Sequence, residues 1–179
     1  MKKLTHIDAR GAASMVDVSS KPLMRREAVA QGEIRLAKAT LSLIDSHTIA
    51  KGNVLAAARL AGIVAAKKTG ELIPLCHPLP ITHCEVNFVF PRSRDRIIVT
   101  AIARITAQTG VEMEALTAVS VAALTIYDMC KAVDKNMRSR TSNCSQKSKC
   151  DLDPWGAFNR SIVQSLNRCN GSELLPLQT

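Results

Sequence analysis

The chain has 179 residues, which is enough for one globular domain with a hydrophobic core and short for two. Hydrophobic residues make up 46% of it and aromatic residues only 3%, so small and aliphatic side chains must fill that core. The formal net charge is +9, and residues 138–179, with six Lys/Arg and three acids, contribute only a third of it. A basic body of this kind indicates an anionic partner, for example a phosphorylated small molecule.

Several classes of protein fit the sequence poorly. The positive charge is the only feature that suggests a nucleic-acid-associated protein. No Lys/Arg-rich run is interleaved with aromatic residues, as such proteins usually require. No run of about 18 apolar residues occurs, and no apolar stretch follows the two lysines in Met1–Arg10. We therefore expect a cytoplasmic protein that has neither a nucleic-acid partner nor a membrane partner.

The six cysteines have irregular spacing and form no recognisable metal-ligand pattern. Cys84 and Cys130 lie in apolar surroundings, which predicts reduced and packed thiols. We therefore expect no metal site.

The first half of the chain predicts a strand followed by two helices. Alternation of small and polar residues over Arg25–Leu36 favours a strand, and Ala37–Ser46 is a short helix candidate. Asn53–Lys68 has apolar residues at helical spacing, with Asn53 as the predicted N-cap and Gly70 as the predicted stop.

The second half predicts a rigid loop, a β-hairpin and a long helix. Three prolines exclude regular structure from Leu72–Pro80. Thr82–Phe90 alternates cleanly, and Arg96–Gln108 is the predicted partner strand, ending at Thr109-Gly110. Glu112–Asp134 then predicts a helix whose apolar stripe contains Leu116, Val119, Ala123, Tyr127 and Cys130.

The character of the chain changes after Met137. Residues 138–150 are polar and have no period, which predicts a loop or disorder. Residues 155–166 could form a short amphipathic helix. We therefore expect one domain over residues 1–137 and a poorly ordered tail over residues 138–179.

The order of these elements predicts an α+β fold. Helices pack on one face of an antiparallel sheet in such folds. Ala-rich helices and few aromatic residues predict close helix packing.

The proline-rich loop presents Cys76 and His77 between prolines. A rigidly held histidine suits a functional site, and a packed loop corner suits the same residues equally well. The sequence alone leaves these two interpretations open.

The long helix carries ionisable residues at both ends. Glu114 and Asp128 are separated by fourteen positions and lie within roughly 40° of each other around the helix, and Lys131 and Lys135 share that stripe. A solvated face with a salt bridge at i,i+3 spacing explains this pattern most simply. A role in proton transfer requires that another subunit cover the stripe.

A third candidate is Lys51-Gly52-Asn53 at the start of the second helix. A lysine beside free backbone amides at a helix start could hold a phosphate group.

Several segments together resemble one family, the cyclic pyranopterin monophosphate synthases of molybdenum cofactor biosynthesis. The resemblance runs in order from the N-terminus to about Met137. It is carried by Leu4-Thr-His-Ile-Asp8, Met15-Val-Asp-Val18, Lys51-Gly-Asn-Val54, Ala61-Gly-Ile63, Glu71-Leu-Ile-Pro-Leu-Cys-His-Pro-Leu79, Gly110-Val-Glu-Met-Glu-Ala115 and Tyr127-Asp-Met-Cys-Lys-Ala132.

The resemblance implies a ferredoxin-like α+β fold and a homohexamer built as a trimer of dimers, with the active site at a dimer interface. It also implies a lyase reaction that converts 3′,8-cyclo-7,8-dihydro-GTP to cyclic pyranopterin monophosphate and releases pyrophosphate. The family needs no redox cofactor, and Mg²⁺ could accompany the triphosphate of the substrate.

The resemblance assigns roles to ten residues. Asp128 is the expected catalytic acid/base, with Lys51 and Lys131 as its essential partners. The residues expected to line or border the substrate pocket are Leu75, Cys76, His77, Met113, Glu114, Glu112 and Asp17.

The chain departs from the family pattern after Met137, where family members continue with a strand and a Lys-Ser-Gly-Gly-Lys-Ser-Gly stretch. Lys147-Ser-Lys149 stands at a similar distance from the helix, without the surrounding motif. Loss of the strand would expose a sheet edge. The alternative function is therefore a catalytically impaired family member that still binds the nucleotide.

Overall fold

Four strands form one antiparallel sheet in the computed structural model, which describes residues 12–149. The strands are β1 (Met24–Arg35), β2 (His83–Val89), β3 (Arg96–Ala107) and β4 (Arg138–Lys149). They lie side by side in the order β2-β3-β1-β4, and each neighbouring pair is antiparallel. The expected motif Leu4–Asp8 and the expected helix over residues 155–166 lie outside the described residues.

Four helices connect these strands: α1 (Lys38–Asp45), α2 (Val54–Lys67), α3 (Thr69–Leu72) and α4 (Glu112–Cys130). The chain order is β1-α1-α2-α3-β2-β3-α4-β4. Apart from the additional short helices, this is the β-α-β-β-α-β arrangement of ferredoxin-like folds. The predicted α+β class with helices packed on an antiparallel sheet is therefore confirmed.

The core lies between the sheet and the pair α2 and α4. Alternate residues of β1, Ala28 and Ala30, are fully buried beneath the buried face of α4. The two helices approach closely at Gly62, where an added Cβ would lie 2.9 Å from the carbonyl oxygen of Ala118 and 3.3 Å from Cβ of Ala122. The predicted close packing of Ala-rich helices is confirmed, because bulkier side chains would separate these backbones.

Most predicted elements occur within one or two residues of the expected bounds. The capping prediction is confirmed in atomic detail, because the side chain of Asn53 accepts a hydrogen bond of 3.0 Å from the backbone N–H of Ala56. In β2, Val86 and Phe88 are buried, as the alternation predicted. The Cys84 and Cys130 thiols are free and packed, and burial raises the pKa of each to about 11.

Gly70 has a different role from the one predicted. The helix α2 ends at Lys67, and Gly70 lies within the following short helix α3. A Cβ at Gly70 would lie 3.0 Å from Cα of Pro78 and 3.2 Å from the carbonyl oxygen of His77. Glycine is therefore needed here for close approach of the proline-rich loop rather than for ending a helix.

The long helix is shorter than predicted, and its buried face is displaced around the helix from the expected apolar stripe. It ends at Cys130, so Lys135 lies beyond it, and Tyr127 is 37% exposed. The buried face consists mainly of small residues, because alanine allows the helix to approach the sheet closely. Its buried residues are Glu114, Ala115, Ala118, Val119, Ala122, Ala123, Ile126 and Cys130.

The prediction of a loop or disorder over residues 138–150 is wrong for residues 138–149. They form β4, which pairs with β1 from Arg35↔Arg138 to Arg25↔Lys149, with a register shift at Gln31/Gly32. Strand pairing uses backbone groups, so a polar segment without a hydrophobic period can still complete a sheet edge. The edge of β1 is consequently covered, contrary to the expected exposure.

Among the described residues, α4 is the one helix whose length and mean hydropathy would suit a membrane span. Eight of its residues are buried against the sheet and α2. Packing within the domain accounts for its apolar character.

One buried carboxylate connects the two ends of the helical layer. Asp134, which is 8% exposed, accepts hydrogen bonds from the backbone N–H of Ala37 at 2.8 Å and from the Thr40 hydroxyl at 3.2 Å. It also accepts one from the N–H of Asn136 at 3.0 Å. Since Ala37 offers no side-chain cap, Asp134 caps α1 from the segment that follows α4.

We expect Asp134→Ala to lower the free energy of unfolding by about 1–3 kcal/mol, because the buried Thr40 hydroxyl and two backbone N–H groups lose their acceptor. Urea unfolding at pH 7 measures this value. Asp45→Ala, which removes only an exposed ion pair with Arg94, should change it by less than about 1 kcal/mol. Equal effects of the two substitutions would contradict the capping role.

The same carboxylate predicts a pH dependence. Hydrogen bonds from Ala37 first, and then from Asn136 and Thr40, hold the pKa of Asp134 below its ordinary value of 3.8. A lowered native pKa stabilises the fold fully above the unfolded value, and this stabilisation is lost as the pH falls through the native pKa. The stability difference between the parent and Asp134→Ala should therefore shrink below about pH 4.

Candidate active site

A pocket of about 300 Å³ lies at the N-terminal end of α4. Three segments meet there: residues 16–21, the proline-rich loop and the turn that enters α4. The lining residues are Val16, Val18, Lys21, Leu75, Cys76, His77, Leu79, Thr109, Gly110, Glu112, Met113 and Glu114. Six of the seven residues expected at the pocket are among them.

The seventh expected residue, Asp17, lies beside the pocket. Its neighbours Val16 and Val18 line the wall, and its own carboxylate accepts a hydrogen bond of 2.9 Å from the N–H of Ser19. Hydrogen bonds from Ser19, first from its side chain and then from this backbone N–H, lower the pKa of Asp17. Asp17 therefore shapes the turn that carries the wall.

His77 is held by backbone contacts on two sides. Gly70 allows the His77–Pro78 backbone to lie against α3, and His77 Nε2 lies 2.9 Å from the carbonyl oxygen of Val16. Because a carbonyl oxygen only accepts, Nε2 carries the proton in this contact. The proline-rich loop thus holds His77 rigidly in the lining of the pocket.

Two carboxylates enter the pocket from the first turn of α4. Glu114 is 3% exposed, and burial, with a smaller contribution from Glu112, raises its pKa. Burial also raises the pKa of the Cys76 thiol, and the charge of Glu114 adds to that effect. The lining of the pocket therefore includes both an acid with a raised pKa and a histidine, which are residue types suited to proton transfer.

A cluster of three charged side chains lies at the other end of α4. Lys131 Nζ is 2.6 Å from Asp128 Oδ1, and Lys51 Nζ is 3.0 Å from Asp128 Oδ2. Lys51 also donates a hydrogen bond of 2.8 Å to the Asp128 carbonyl oxygen, which belongs to the last turn of α4. The predicted i,i+3 salt bridge is present, and Lys51 adds a partner from 77 positions away.

Local backbone geometry places Lys51 in this cluster. Gly52 has a φ of +95°, a left-handed conformation that favours glycine. Asn53 then caps α2, so the chain turns sharply between Lys51 and the helix. The motif predicted as a phosphate site therefore orients a lysine toward α4.

The two lysines determine the protonation of the cluster. Hydrogen bonding and charge from Lys131 first, and then from Lys51, lower the pKa of Asp128. Asp128 in turn raises the pKa of Lys131. At neutral pH the cluster holds one carboxylate between two ammonium groups, which leaves a net positive charge for an anionic ligand.

Within one chain the cluster and the pocket are far apart. Glu114 and Asp128 are separated by fourteen residues of continuous helix, or about 21 Å along the axis. The structure brings together the expected pocket residues, and separately the three expected catalytic residues, without joining the two groups.

Sequence reasoning missed some of the pocket. Lys21, Thr109 and Gly110 also line the pocket, and Lys21 adds a cation. Val16 and Val18 had a sequence signal only through the resemblance, in the motif Met15-Val-Asp-Val18. Lys21 gave no comparable signal, because its place at the pocket depends on how residues 16–21 fold back. Gln108 Nε2 holds this segment by donating to the Ser19 carbonyl oxygen at 3.1 Å.

No group of three or more His, Cys, Asp or Glu side chains within residues 12–149 is arranged to hold a metal ion. The described part of the pocket and of the cluster offers nitrogen donors and carboxylates at spacings suited to hydrogen bonding.

The described residues define an α+β protein with a pocket at one end of α4 and a cluster of charged side chains at the other end. The chain matches the MoaC family over residues 15–150. It therefore belongs to the MoaC family. The match extends past Met137, where the motif resemblance ends, and it includes β4.

Curated relatives agree with this assignment. The chain is 57% identical over 136 residues to a cyclic pyranopterin monophosphate synthase of Parvibaculum lavamentivorans, covering 76% of this chain and 85% of the relative. It is 58% identical over 173 residues to a protein of the same name from Pelotomaculum thermopropionicum, covering 97% of this chain and 100% of the relative. The second alignment takes in most of residues 138–179.

We expect Lys131→Met to raise the pKa of the Asp128 carboxyl toward its ordinary value of 3.8, because the first cause of its depression is removed. A carbon-detected NMR titration of the Asp128 side chain measures this pKa. Lys135→Met removes an exposed lysine outside the cluster and should leave the titration unchanged. An unshifted Asp128 pKa in Lys131→Met would contradict the described contact.

Proposed function

We propose that this protein is a lyase that converts 3′,8-cyclo-7,8-dihydro-GTP to cyclic pyranopterin monophosphate and pyrophosphate, in molybdenum cofactor biosynthesis. The observation that carries the proposal is the Lys51–Asp128–Lys131 cluster, in a chain whose relatives bear that name. A carboxylate held between two ammonium groups suits a reaction that combines proton transfer with cleavage of a triphosphate.

The proposed chemistry divides between the two groups of residues. A cyclic phosphate closes when a substrate hydroxyl loses its proton and attacks the α-phosphorus, with pyrophosphate as the leaving group. Asp128 is the proposed acid/base, and Lys51 and Lys131 stabilise the charge on the phosphates. His77, Cys76 and the remaining pocket residues hold the ring system.

The pocket and the charged cluster of a single chain cannot act on one substrate molecule, because about 21 Å of helix separates them. The proposal therefore includes an active site shared between two subunits, within a homohexamer built as a trimer of dimers. It also includes a cytoplasmic location and no resident redox cofactor. Mg²⁺ has a place in the proposal as a counter-ion that enters with the triphosphate.

Turnover of the cyclic dihydro-GTP substrate, followed by pyrophosphate release, tests the activity. We expect robust release from the parent chain and a loss of at least about 100-fold in Asp128→Asn and Lys51→Ala, as removal of proton transfer and charge stabilisation predicts. Lys135→Ala is the matched control and should retain the parental rate.

Two results would contradict this proposal. A parental rate in Asp128→Asn would remove Asp128 from catalysis. A folded oligomer that binds the substrate and releases no pyrophosphate would favour the alternative of an impaired nucleotide-binding protein.

Subunit complementation tests the shared site. His77→Ala damages the pocket and Asp128→Asn damages the cluster, so each variant alone should be inactive. In a random mixture of co-expressed chains, half of the dimers are mixed and each mixed dimer has one intact shared site. We expect about a quarter of the parental activity from symmetric pairing. No recovery in verified mixed dimers would place the whole site in one chain.

A further inference from the structure

Asp134 is a buried carboxylate that belongs neither to the pocket nor to the charged cluster. It lies in the turn after α4, three positions beyond Lys131, and its own N–H donates to the Cys130 carbonyl oxygen at 3.0 Å. Its side chain accepts the hydrogen bonds from Ala37 and Thr40 at the start of α1. The chemistry proposed above does not use this carboxylate.

We propose that Asp134 is a positioning residue of the active site, and that it fixes where Lys51 lies relative to Asp128. The inference rests on the proposed function, since Lys51 and Asp128 act in that reaction. Asp134 acts through α1, which ends six positions before Lys51, rather than through contact with the substrate.

Backbone hydrogen bonds continue from α1 to Lys51. Beyond the helix, the N–H of Thr48 donates to the Leu43 carbonyl oxygen at 3.0 Å. The N–H of Gly52 donates to the carbonyl oxygen of Ile49 at 2.9 Å, and Ile49 is buried in the core. The start of α1 and Lys51 therefore belong to one connected segment, so a displacement of the helix also displaces the lysine.

This segment is attached to the end of α4 at two points. At its start, Ala37 and Thr40 donate to Asp134. At its end, Lys51 donates to the carboxylate of Asp128 at 3.0 Å and to its carbonyl oxygen at 2.8 Å. The Thr40–Asp134 hydrogen bond is buried, whereas the Lys51–Asp128 ion pair is exposed and weak by itself. The position of Lys51 therefore depends on the buried attachment.

Apolar packing alone leaves the position of α1 along its own axis open. Leu41 and Ile44 are buried in the core, and apolar contacts have no preferred direction. The helix has only eight residues, and Ala37 gives it no side-chain cap. Hydrogen bonds have narrow ranges of distance and angle, so the bonds to Asp134 fix the start of α1 relative to α4.

The thiol of Cys130 indicates that both attachments lie at the same end of α4. Cys130 is fully buried in the last turn of this helix. Burial first, and then the charge of Asp134, raise the pKa of its thiol, whereas the charge of Lys51 lowers it. Asp134 and Lys51 therefore both lie close to the same buried side chain.

Turnover of Asp134→Ala tests the inference. Without its acceptor the start of α1 is released and Lys51 is misplaced, so kcat for pyrophosphate release should fall by at least about 10-fold. KM should stay near the parental value, because the pocket residues are unchanged. Asp134→Asn keeps one acceptor oxygen and should recover part of the lost kcat.

Hydrogen exchange separates positioning from stability. In Asp134→Ala at pH 7, the backbone amides of residues 46–52 should exchange at least about 10-fold faster than in the parent, while those of β3 change less. A purely structural role would accelerate exchange throughout the core instead.

Val86→Ala is the matched control, measured at a temperature where both variants are folded. Val86 is fully buried on β2, and a Cβ added at Gly62 of α2 would lie 3.2 Å from its side chain. Its truncation weakens the core between β2 and α2, away from α1. The control should keep the parental kcat and show no selective exchange of residues 46–52.

Either of two results would overturn the positioning role. One is the same kcat in Asp134→Ala and Val86→Ala, and the other is exchange of residues 46–52 that rises no more than that of β3. If Asp134→Ala does not fold, Thr40→Val removes one of the same hydrogen bonds from the other side. It should show smaller changes in the same direction, and parental kcat and exchange in Thr40→Val would also overturn the role.

The outcomes for positioning and function are distinguishable. Selective exchange of residues 46–52 in a chain without turnover would confirm the attachment of α1 and contradict the proposed function. Robust turnover that Asp134→Ala leaves unchanged would support the function and overturn this inference.

Discussion

The length and rigidity of α4 fix the distance between the pocket and the charged cluster within one chain. One continuous helix of 19 residues carries the pocket at its first turn and the charged cluster at its last. A packed α-helix does not bend far enough to bring its own ends together. The chain therefore separates the pocket and the charged cluster by about 21 Å along the helix axis, and the proposed function brings them together through a second copy.

The rest of the fold supports the two ends of this helix. At the pocket end, Gly70 allows close approach of the proline-rich loop, whose His77 contacts the carbonyl oxygen of Val16. At the cluster end, the left-handed Gly52 directs Lys51 toward Asp128. Asp134 then attaches the segment after α4 to the start of α1. Backbone geometry, more than side-chain packing, holds the functional groups in place.

Local sequence signals predicted the elements well, because each depends on neighbours in the chain. The Asn53 cap, the alternation in β2 and the hairpin required only short-range patterns. The Asp128–Lys131 pair followed from helical spacing, whereas Lys51 could be assigned to it only through the family resemblance, since the contact spans 77 positions. The strand β4 was missed because edge pairing depends on backbone groups of β1 and leaves no hydrophobic period in the sequence.

A crystal structure of the full chain with the reaction product bound tests the shared site most directly. The account predicts that one product molecule contacts His77 of one subunit and Lys131 of another. A product molecule that contacts His77 and Lys131 of the same chain would contradict it.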